Sequence, residues 1–309
     1  MADALIFGAT SMVGSHFVAH GRSVCAAAGR RDPRVEGLPV ERFAEVDLTD
    51  LEAVRRAVRS AREPVVVNFA GATDVDVVER ERPALPETPA GVAWTTNALA
   101  PAVIADTARA SGKFFVQIST DFVFDGADGP YSEAAERSLY SPALCWYGWT
   151  KSEGERRANE ADSTTAVVRI AYPYRGPFAL KSDFARRVLA RYREGSMWSM
   201  YTDQVITPTW IPDVTTALDR LIAERVSGVV HVASPEPTTP FAFASELLSV
   251  YAGRPVELAS GRLAEVPAGG GRAPRPLRGG LVPARAQQLG LPLTTWRSGI
   301  AQLVAEVRA

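Results

Sequence analysis

The sequence has 309 residues, and its 34 lysines and arginines against 35 aspartates and glutamates give a formal net charge of −1. This balance argues against binding to nucleic acid or to an anionic membrane surface, and no apolar run approaches the ~20 residues of a membrane span. Cys25 and Cys145 stand far apart without a motif, which favours buried apolar roles in a reducing cytoplasm. The three scattered histidines form no metal-binding pattern, so we expect no metal site.

The first two-thirds of the chain alternate short apolar runs with helical patterns. The runs predict strands at Ala4–Gly8, Val24–Gly29, Val65–Gly71, Phe114–Thr120 and Thr165–Ala171. The patterns between them predict helices at Leu51–Ala61, Ala98–Ser111 and Tyr147–Ala161. Because the runs are apolar on both faces, as buried parallel strands are, the sequence predicts an α/β fold with a doubly wound parallel sheet.

The pattern changes after about residue 171. Beyond it the sequence predicts one strand at Gly228–Ala233 and helices at Phe184–Glu194, Val214–Ala223, Phe241–Tyr251 and Trp296–Val307. Residues 267–283 are rich in glycine and proline, which predicts an irregular surface segment. We therefore expect two regions: residues 1–171, and a smaller region of residues 172–309 that is partly interleaved with the first.

A glycine-containing turn follows the first predicted strand and opens a helix. In Rossmann-type folds such a turn lets the backbone approach a pyrophosphate, which free N–H groups and the helix dipole then bind. Ser11 occupies the middle position of a Gly-x-x-Gly-x-x-Gly spacing, so a plain strand-to-helix turn is the alternative interpretation. We predict that residues 1–171 form a dinucleotide-binding domain that uses Gly8, Thr10, Ser11, Met12, Val13 and Gly14.

The second predicted strand ends in Gly29-Arg30-Arg31. In dinucleotide-binding folds this strand end faces the adenosine ribose, where an acid holds a free 2′-hydroxyl and an arginine accommodates a 2′-phosphate. Arg30 and Arg31 therefore favour NADP(H), with NAD(H) as the second choice. The alternative is two solvated arginines in an arginine-rich chain.

Tyr147 and Lys151 have the spacing of four that puts two side chains on one helix face, in a chain with only three lysines. A nearby ammonium and the nicotinamide charge are expected to lower the tyrosine pKa from its ordinary value of about 10, which would allow acid–base catalysis. Thr120, at the end of a predicted strand, can donate its hydroxyl to the same carbonyl oxygen. The alternatives are a solvated helix face for the pair and a turn-capping hydroxyl for Thr120. Together with the glycine turn, the three residues predict nicotinamide-dependent carbonyl chemistry.

With these residues the sequence resembles the extended short-chain dehydrogenase/reductase superfamily, and within it the dTDP-4-dehydrorhamnose reductases. The resemblance spans nearly the whole chain. Five segments carry it: 8–14, 68–76, 119–126, 147–155, and 203–204 together with 208–209 and 212–213.

The resemblance implies a role for further residues. Thr120, Tyr147 and Lys151 would form the catalytic triad. The cofactor would be bordered by Asp47, Leu48, Phe69, Ala70, Gly71 and Thr73, and the sugar by Asp121, Phe122, Tyr172 and Gln204. The sequence departs from the family pattern at Ser11, at Phe122, where tyrosine is usual, and at Tyr172, where tryptophan is usual.

The resemblance implies an NADPH-dependent enzyme that reduces the keto group of a nucleotide-linked 4-keto-6-deoxy sugar, with Tyr147 as the proton donor. Sugar-nucleotide dehydratases and epimerases share the fold, but dehydratases need an acidic pair beside the threonine, and here Asp121 is followed by Phe122. A non-catalytic, NADP-binding regulatory subunit is the third alternative. Homodimers are common in the superfamily, and the sequence leaves that question open.

Overall fold

The computed structural model describes residues 3–84, 89–178, 180–266 and 272–308. Within these ranges the strands are β1 (Ala4–Phe7), β2 (Cys25–Gly29), β3 (Val40–Glu45), β4 (Val65–Asn68), β5 (Phe114–Thr120), β6 (Ala166–Ile170), β7 (Met200–Tyr201), β8 (Gly228–His231) and β9 (Ser260–Gly261). Seven of them form one parallel sheet in the order β3-β2-β1-β4-β5-β6-β8, and β7 pairs with β9 separately. The predicted α/β, Rossmann-type fold is thereby confirmed.

Helices connect the strands and cover both faces of the sheet. The described α-helices are α1 (Met12–His20), α2 (Leu51–Ser60), α3 (Val75–Glu79), α4 (Val92–Trp94), α5 (Ala100–Ala110), α6 (Trp146–Ala161), α7 (Phe184–Arg193), α8 (Ile211–Glu224), α9 (Pro240–Ala252), α10 (Ala284–Gln288) and α11 (Trp296–Arg308). A π-helical turn, Thr95–Leu99, joins α4 to α5. None of the helices in the described ranges combines the length and the apolar character needed to cross a membrane.

Alternation along β1 shows how the sheet separates two cores. Ala4 and Ile6 point to the face covered by α1 and α8, and Leu5 and Phe7 point to the face covered by α2, α5 and α6. Successive side chains of a strand point to opposite faces, so a strand that is buried on both sides has to be apolar throughout. For this reason such strands appear in the sequence as continuous apolar segments.

The sequence patterns missed β3 and misplaced several boundaries. β3 lies at the sheet edge, where its solvent-facing charged residues hide the apolar pattern, and only Val40 is fully buried. The run predicted at Val65–Gly71 leaves the sheet after Asn68. The helix predicted from Ala98 is preceded by the π-helical turn and α4. Asp50 caps α2, because its carboxylate accepts the Ala53 N–H at 2.9 Å.

The later part of the chain forms a third core of its own and also completes the main sheet. α7, α9 and α11 pack around Leu189, Phe243, Trp296 and Ile300. From the same part of the chain, β8 joins the sheet beside β6, and α8 packs against α1. Of the segment predicted as irregular, residues 267–271 lie outside the described residues, and residues 272–283 contain no helix or strand.

Candidate active site

The carboxyl ends of the central strands bring the predicted site residues to one edge of the sheet. The strand order reverses between β1 and β4, and ligands of open α/β sheets bind in the crevice at such a point. The glycine turn follows β1, Phe69 follows β4, and Thr120 is the last residue of β5. The connection between β5 and β6 includes α6, which carries Tyr147 and Lys151.

The turn after β1 is packed tightly against the chain that follows β4. Gly8 has φ +78°, and a Cβ there would lie 2.6 Å from the backbone nitrogen of Ala70. A Cβ on Gly14 would overlap the carbonyl oxygen of Gly8. The positive φ and the close approach therefore both require glycine at position 8.

Ser11, which occupies the middle position of the glycine spacing, is the N-cap of α1. Its hydroxyl accepts the N–H of Gly14 at 3.0 Å, and its own N–H donates to the Gly8 carbonyl at 2.9 Å. Its φ of −70° is unstrained. Among the described residues, the amides of Met12 and Val13 have no acceptor, so they are the N–H groups that can meet an anion at the positive end of the helix dipole. Thr10 lies half-buried in the same turn.

The adenosine end of the predicted cofactor site lies at the ends of β2 and β3. Arg30 and Arg31 follow β2 and are both exposed. The Asp47 carboxylate accepts the Thr49 N–H and hydroxyl at 2.8 Å each; these bonds, together with the nearby Arg30 charge, hold the Asp47 pKa below its usual value. Leu48 is buried. The Asp47 side chain is thus engaged in a local turn beside the arginines.

The proposed acid–base residues are buried on one face of α6. Tyr147 is 8% exposed and Lys151 is 7% exposed. The Lys151 ammonium donates to the Ile118 carbonyl of β5 at 2.7 Å, and burial lowers the Lys151 pKa to about 8. This bond fixes α6 against the strand that ends in Thr120.

Burial dominates the electrostatics of Tyr147. Burial raises the Tyr147 pKa above 10, and the nearby Thr120 hydroxyl opposes that rise. The Lys151 ammonium donates to the strand carbonyl and does not contribute to this shift. The expectation that the ammonium and the nicotinamide charge together lower the Tyr147 pKa stays a prediction. The phenol is protonated at neutral pH and can act as a proton donor.

The predicted sugar-facing residues line the next part of the cleft. Asp121 is 2% exposed, and burial raises its pKa to about 6 although its carboxylate accepts the Thr120 hydroxyl at 3.2 Å. The Phe122 ring meets the Tyr147 ring edge-on at 5.7 Å between centroids. The Tyr172 hydroxyl donates to Oε1 of Gln204 at 3.3 Å, and the Gln204 amide donates to the Pro276 carbonyl at 3.0 Å. All four predicted residues thus lie in one connected group.

Tyr172 has a strained backbone. Its φ is +42°, in the left-handed region that non-glycine residues rarely adopt, and such strain is concentrated at functional sites. Burial raises its pKa to about 12, and the nearby Asp121 carboxylate adds to the rise. The surrounding structure thus holds the phenol ring of Tyr172 in place although the backbone of this residue is strained.

Three predicted cofactor residues after β4 lie against other parts of the protein. The exposed Thr73 hydroxyl accepts the Lys181 ammonium at 2.7 Å, which joins the two regions across the cleft. A Cβ on Gly71 would lie 2.7 Å from Oδ1 of Asn97. Phe69 packs against Phe17 of α1 at 5.7 Å between centroids.

Sequence reasoning missed Asn97 and Arg275. The buried Asn97 side chain bonds both the N–H and the carbonyl of Ala72 at 2.9 Å, and donates to the Thr150 hydroxyl at 3.1 Å, so it ties the chain after β4 to α6. An asparagine within an otherwise apolar helical pattern was the available signal, and the π-helical turn that presents it was not predictable from spacing. Arg275 pairs with Asp76 at 2.9 Å and lies close enough to Tyr172 to influence its pKa.

The fold is that of a Rossmann-type protein of the extended short-chain dehydrogenase/reductase kind. The chain belongs to the family described as the RmlD substrate binding domain, whose model matches residues 2–309.

Individual relatives agree over nearly the full length. The chain is 32% identical to a probable dTDP-4,6-dihydroxy-2-methyloxan-3-one 4-ketoreductase of Streptomyces antibioticus, covering 99% of this chain and 95% of that one. It is 31% identical to a dTDP-4-dehydrorhamnose reductase of Streptomyces griseus, covering 96% and 91%. The crystal structure of a dTDP-4-dehydrorhamnose reductase from Bacillus anthracis in complex with NADP superposes with a TM-score of 0.78 at 23% identity, covering 99% and 98%.

Among the described residues, no group of three or more His, Cys, Asp or Glu side chains is arranged to hold a metal ion. His16, whose pKa burial lowers to about 3, bonds the Thr215 hydroxyl at 2.7 Å instead.

Proposed function

We propose that the protein is an NADPH-dependent reductase of the keto group of a nucleotide-linked 4-keto-6-deoxy sugar. One observation carries the proposal: the phenol of Tyr147 is buried and protonated near the strand-end Thr120, one helical turn from Lys151. The names of the two Streptomyces relatives support reduction of a sugar-nucleotide ketone. They differ in the sugar, so the reaction type has more support than the particular substrate.

The cofactor-binding residues fit a dinucleotide. The turn after β1 has no room for a Cβ at Gly8 or Gly14, and the Met12 and Val13 amides are directed to the crevice end of α1. Arg30 and Arg31 would hold a 2′-phosphate, which favours NADP(H) over NAD(H), and the NADP in the Bacillus anthracis structure supports the same choice. Gly8, Thr10, Ser11, Met12, Val13, Gly14, Asp47, Leu48, Phe69, Ala70, Gly71 and Thr73 would border this cofactor.

The chemistry then follows from the protonation states. NADPH, when bound, supplies the hydride that forms the new C–H bond at the keto carbon. Tyr147 gives its phenolic proton to the ketone oxygen, and the Thr120 hydroxyl, which donates to Asp121 in this structure, would turn to donate a hydrogen bond that orients this oxygen. Lys151 holds α6 against β5, and with the coenzyme bound its ammonium and the nicotinamide charge together would stabilise the phenolate that remains after the proton transfer. The phenolate is then reprotonated from solvent.

The sugar would lie against Asp121, Phe122, Tyr172 and Gln204. We propose that residues 1–171 carry the coenzyme and the chemistry, and that residues 172–309 contribute to substrate binding through Tyr172 and Gln204. A dehydratase or epimerase is less well supported, because the residue beside Asp121 is Phe122 and supplies no second carboxylate. A regulatory role without turnover would leave the buried side chains of Tyr147 and Thr120 without a use.

The direct test replaces the proton donor. Tyr147→Phe is expected to lower kcat by roughly 100- to 10,000-fold, the usual contribution of a positioned acid, with the Kd for NADPH changed less than about threefold. The measurement is NADPH absorbance at 340 nm with dTDP-4-dehydro-6-deoxy sugars, assayed in parallel with NADH.

Tyr140→Phe is the matched control. Tyr140 packs on Trp146 and Trp149 of the same helix, but its hydroxyl contacts Arg82. This variant should keep kcat within about threefold of the wild type. Full turnover by Tyr147→Phe would show that Tyr147 is not the proton donor.

A further inference from the structure

Arg175 joins the second region to the first turn of α1. It lies in the loop after β6, and its Nη1 donates to the Met12 carbonyl and to the Ser15 hydroxyl, at 3.3 Å each. Met12 and Ser15 lie in the same helical turn as Val13. The amide of Val13 is one of the two proposed pyrophosphate donors. The guanidinium is half-buried, so its position is fixed by the surrounding chain.

Arg175 lies among several charged groups. The N-terminus of α1 is itself the positive end of a helix dipole. A second guanidinium, Arg186, reaches the Met12 sulfur at 3.5 Å, and both arginines stack on Phe178, at 4.9 and 5.8 Å from its centroid. The nearest anions are Asp183, which pairs with Arg186 at 2.7 Å, and Glu306. Within the described ranges no carboxylate lies within 4 Å of the Arg175 guanidinium, so Arg175 itself has no ion pair there.

The two arginines differ in their remaining hydrogen-bonding capacity. Arg186 uses all three nitrogens, on Asp183 and on the carbonyls of Phe178 and Lys181. Arg175 uses Nη1 alone, and its Nε and Nη2 have no acceptor in the described part of the chain. A guanidinium offers five N–H donors, and the edge formed by Nε and Nη2 suits two oxygens of one phosphate.

We propose that Arg175 is a coenzyme-binding residue, whose Nε–Nη2 edge binds the pyrophosphate that the α1 amides hold from the other side. The inference rests on the proposed function, since it takes the ligand to be a dinucleotide. It adds that the second region contributes directly to coenzyme affinity. The anion is recognised between a helix N-terminus and an arginine from the other side of the cleft.

The test compares ligands with and without a pyrophosphate. Binding of NADPH, 2′-phospho-ADP-ribose and adenosine 2′-monophosphate to the full-length wild type and to Arg175→Gln is measured by fluorescence and calorimetry. Arg175→Gln is expected to weaken NADPH and 2′-phospho-ADP-ribose by roughly 10- to 100-fold, as for loss of charge-assisted bonds. Adenosine 2′-monophosphate, which has no pyrophosphate, should bind both proteins equally.

Two further variants make the comparison specific. Arg193→Gln, on α7, removes a guanidinium that stacks on Tyr251 at 5.1 Å, and should leave all three affinities unchanged. Arg175→Lys keeps the charge but not the planar edge, and should give an intermediate loss. It also serves as the folded alternative if Arg175→Gln is unstable.

Three results would overturn the inference. Equal weakening of all three ligands would mean that the substitution distorts the turn rather than removing a contact. Unchanged NADPH binding by Arg175→Gln, beside normal binding by the wild type, would overturn the inference and leave the proposed function standing. Failure of the wild type to bind any of the three ligands would overturn both.

Discussion

The proposed coenzyme side and the proposed sugar side of the cleft are built in different ways. On the coenzyme side, the glycine turn, Thr120 and Lys151 belong to strand ends and helices, and backbone contacts fix their positions. On the sugar side, Tyr172 and Gln204 lie on loops and are held by side-chain hydrogen bonds. The reaction is therefore tied to the fold, whereas the substrate pocket depends on side chains that can change without disturbing the sheet.

The largest expected effect is at the coenzyme turn. Gly8→Ala would force a side chain into a left-handed φ and against the Ala70 nitrogen, so the free energy of unfolding should fall by about 4 kcal/mol. Urea unfolding followed by circular dichroism measures it.

Gly37→Ala separates the effect of the left-handed φ from the effect of the close contact with Ala70. Gly37 has a similar φ, +72°, but a Cβ there would meet nothing within 4 Å. Gly37→Ala should lower the free energy of unfolding by only about 1 kcal/mol. Equal losses for the two variants would show that the approach of Gly8 to Ala70 contributes nothing to stability.

The next effect concerns the buried Lys151 and has a defined pH window. Burial lowers its pKa from the ordinary 10.5 to about 8, so between these values the folded protein binds fewer protons than the unfolded chain. Stability should therefore rise with pH across this window, and the cost of burying the ammonium is fully present below pH 8.

The measurement subtracts the unfolding free energy of Lys151→Met from that of the wild type, which cancels the other titrating groups. The difference should shift in favour of the wild type by about 3 kcal/mol between pH 7.5 and pH 10.5, at about 1.4 kcal/mol per pH unit. A pH-independent difference would mean that Lys151 keeps its ordinary pKa.

The smallest effect is expected on the sugar side. Phe122→Tyr adds a hydroxyl to a ring that meets Tyr147 edge-on, and should change KM for the sugar nucleotide by less than about tenfold, with kcat within about threefold. Steady-state kinetics on a panel of keto sugars measures both. A kcat loss as large as that of Tyr147→Phe would show that Phe122 takes part in catalysis. The two sides of the cleft would then not differ in the way described.

The same contrast explains what the sequence could predict. β1, β4 and β5 were recognised because strands buried on both faces are continuous apolar runs, and Tyr147 and Lys151 because helical spacing places them together. β3 was missed because an edge strand carries charged residues. Asn97, the strained φ of Tyr172 and the Lys151–Ile118 bond depend on contacts between distant segments, which no local pattern encodes.

The central claim is that hydride passes from the nicotinamide to a sugar ketone in this cleft. A single turnover with NADPH deuterated at the transferable C4 position tests it, with nuclear magnetic resonance locating the label in the product. We expect one deuteron on the former carbonyl carbon for each NADP⁺ formed. A converted sugar that carries no deuterium at that carbon, with NADPH unconsumed, would contradict it and indicate epimerase or dehydratase chemistry.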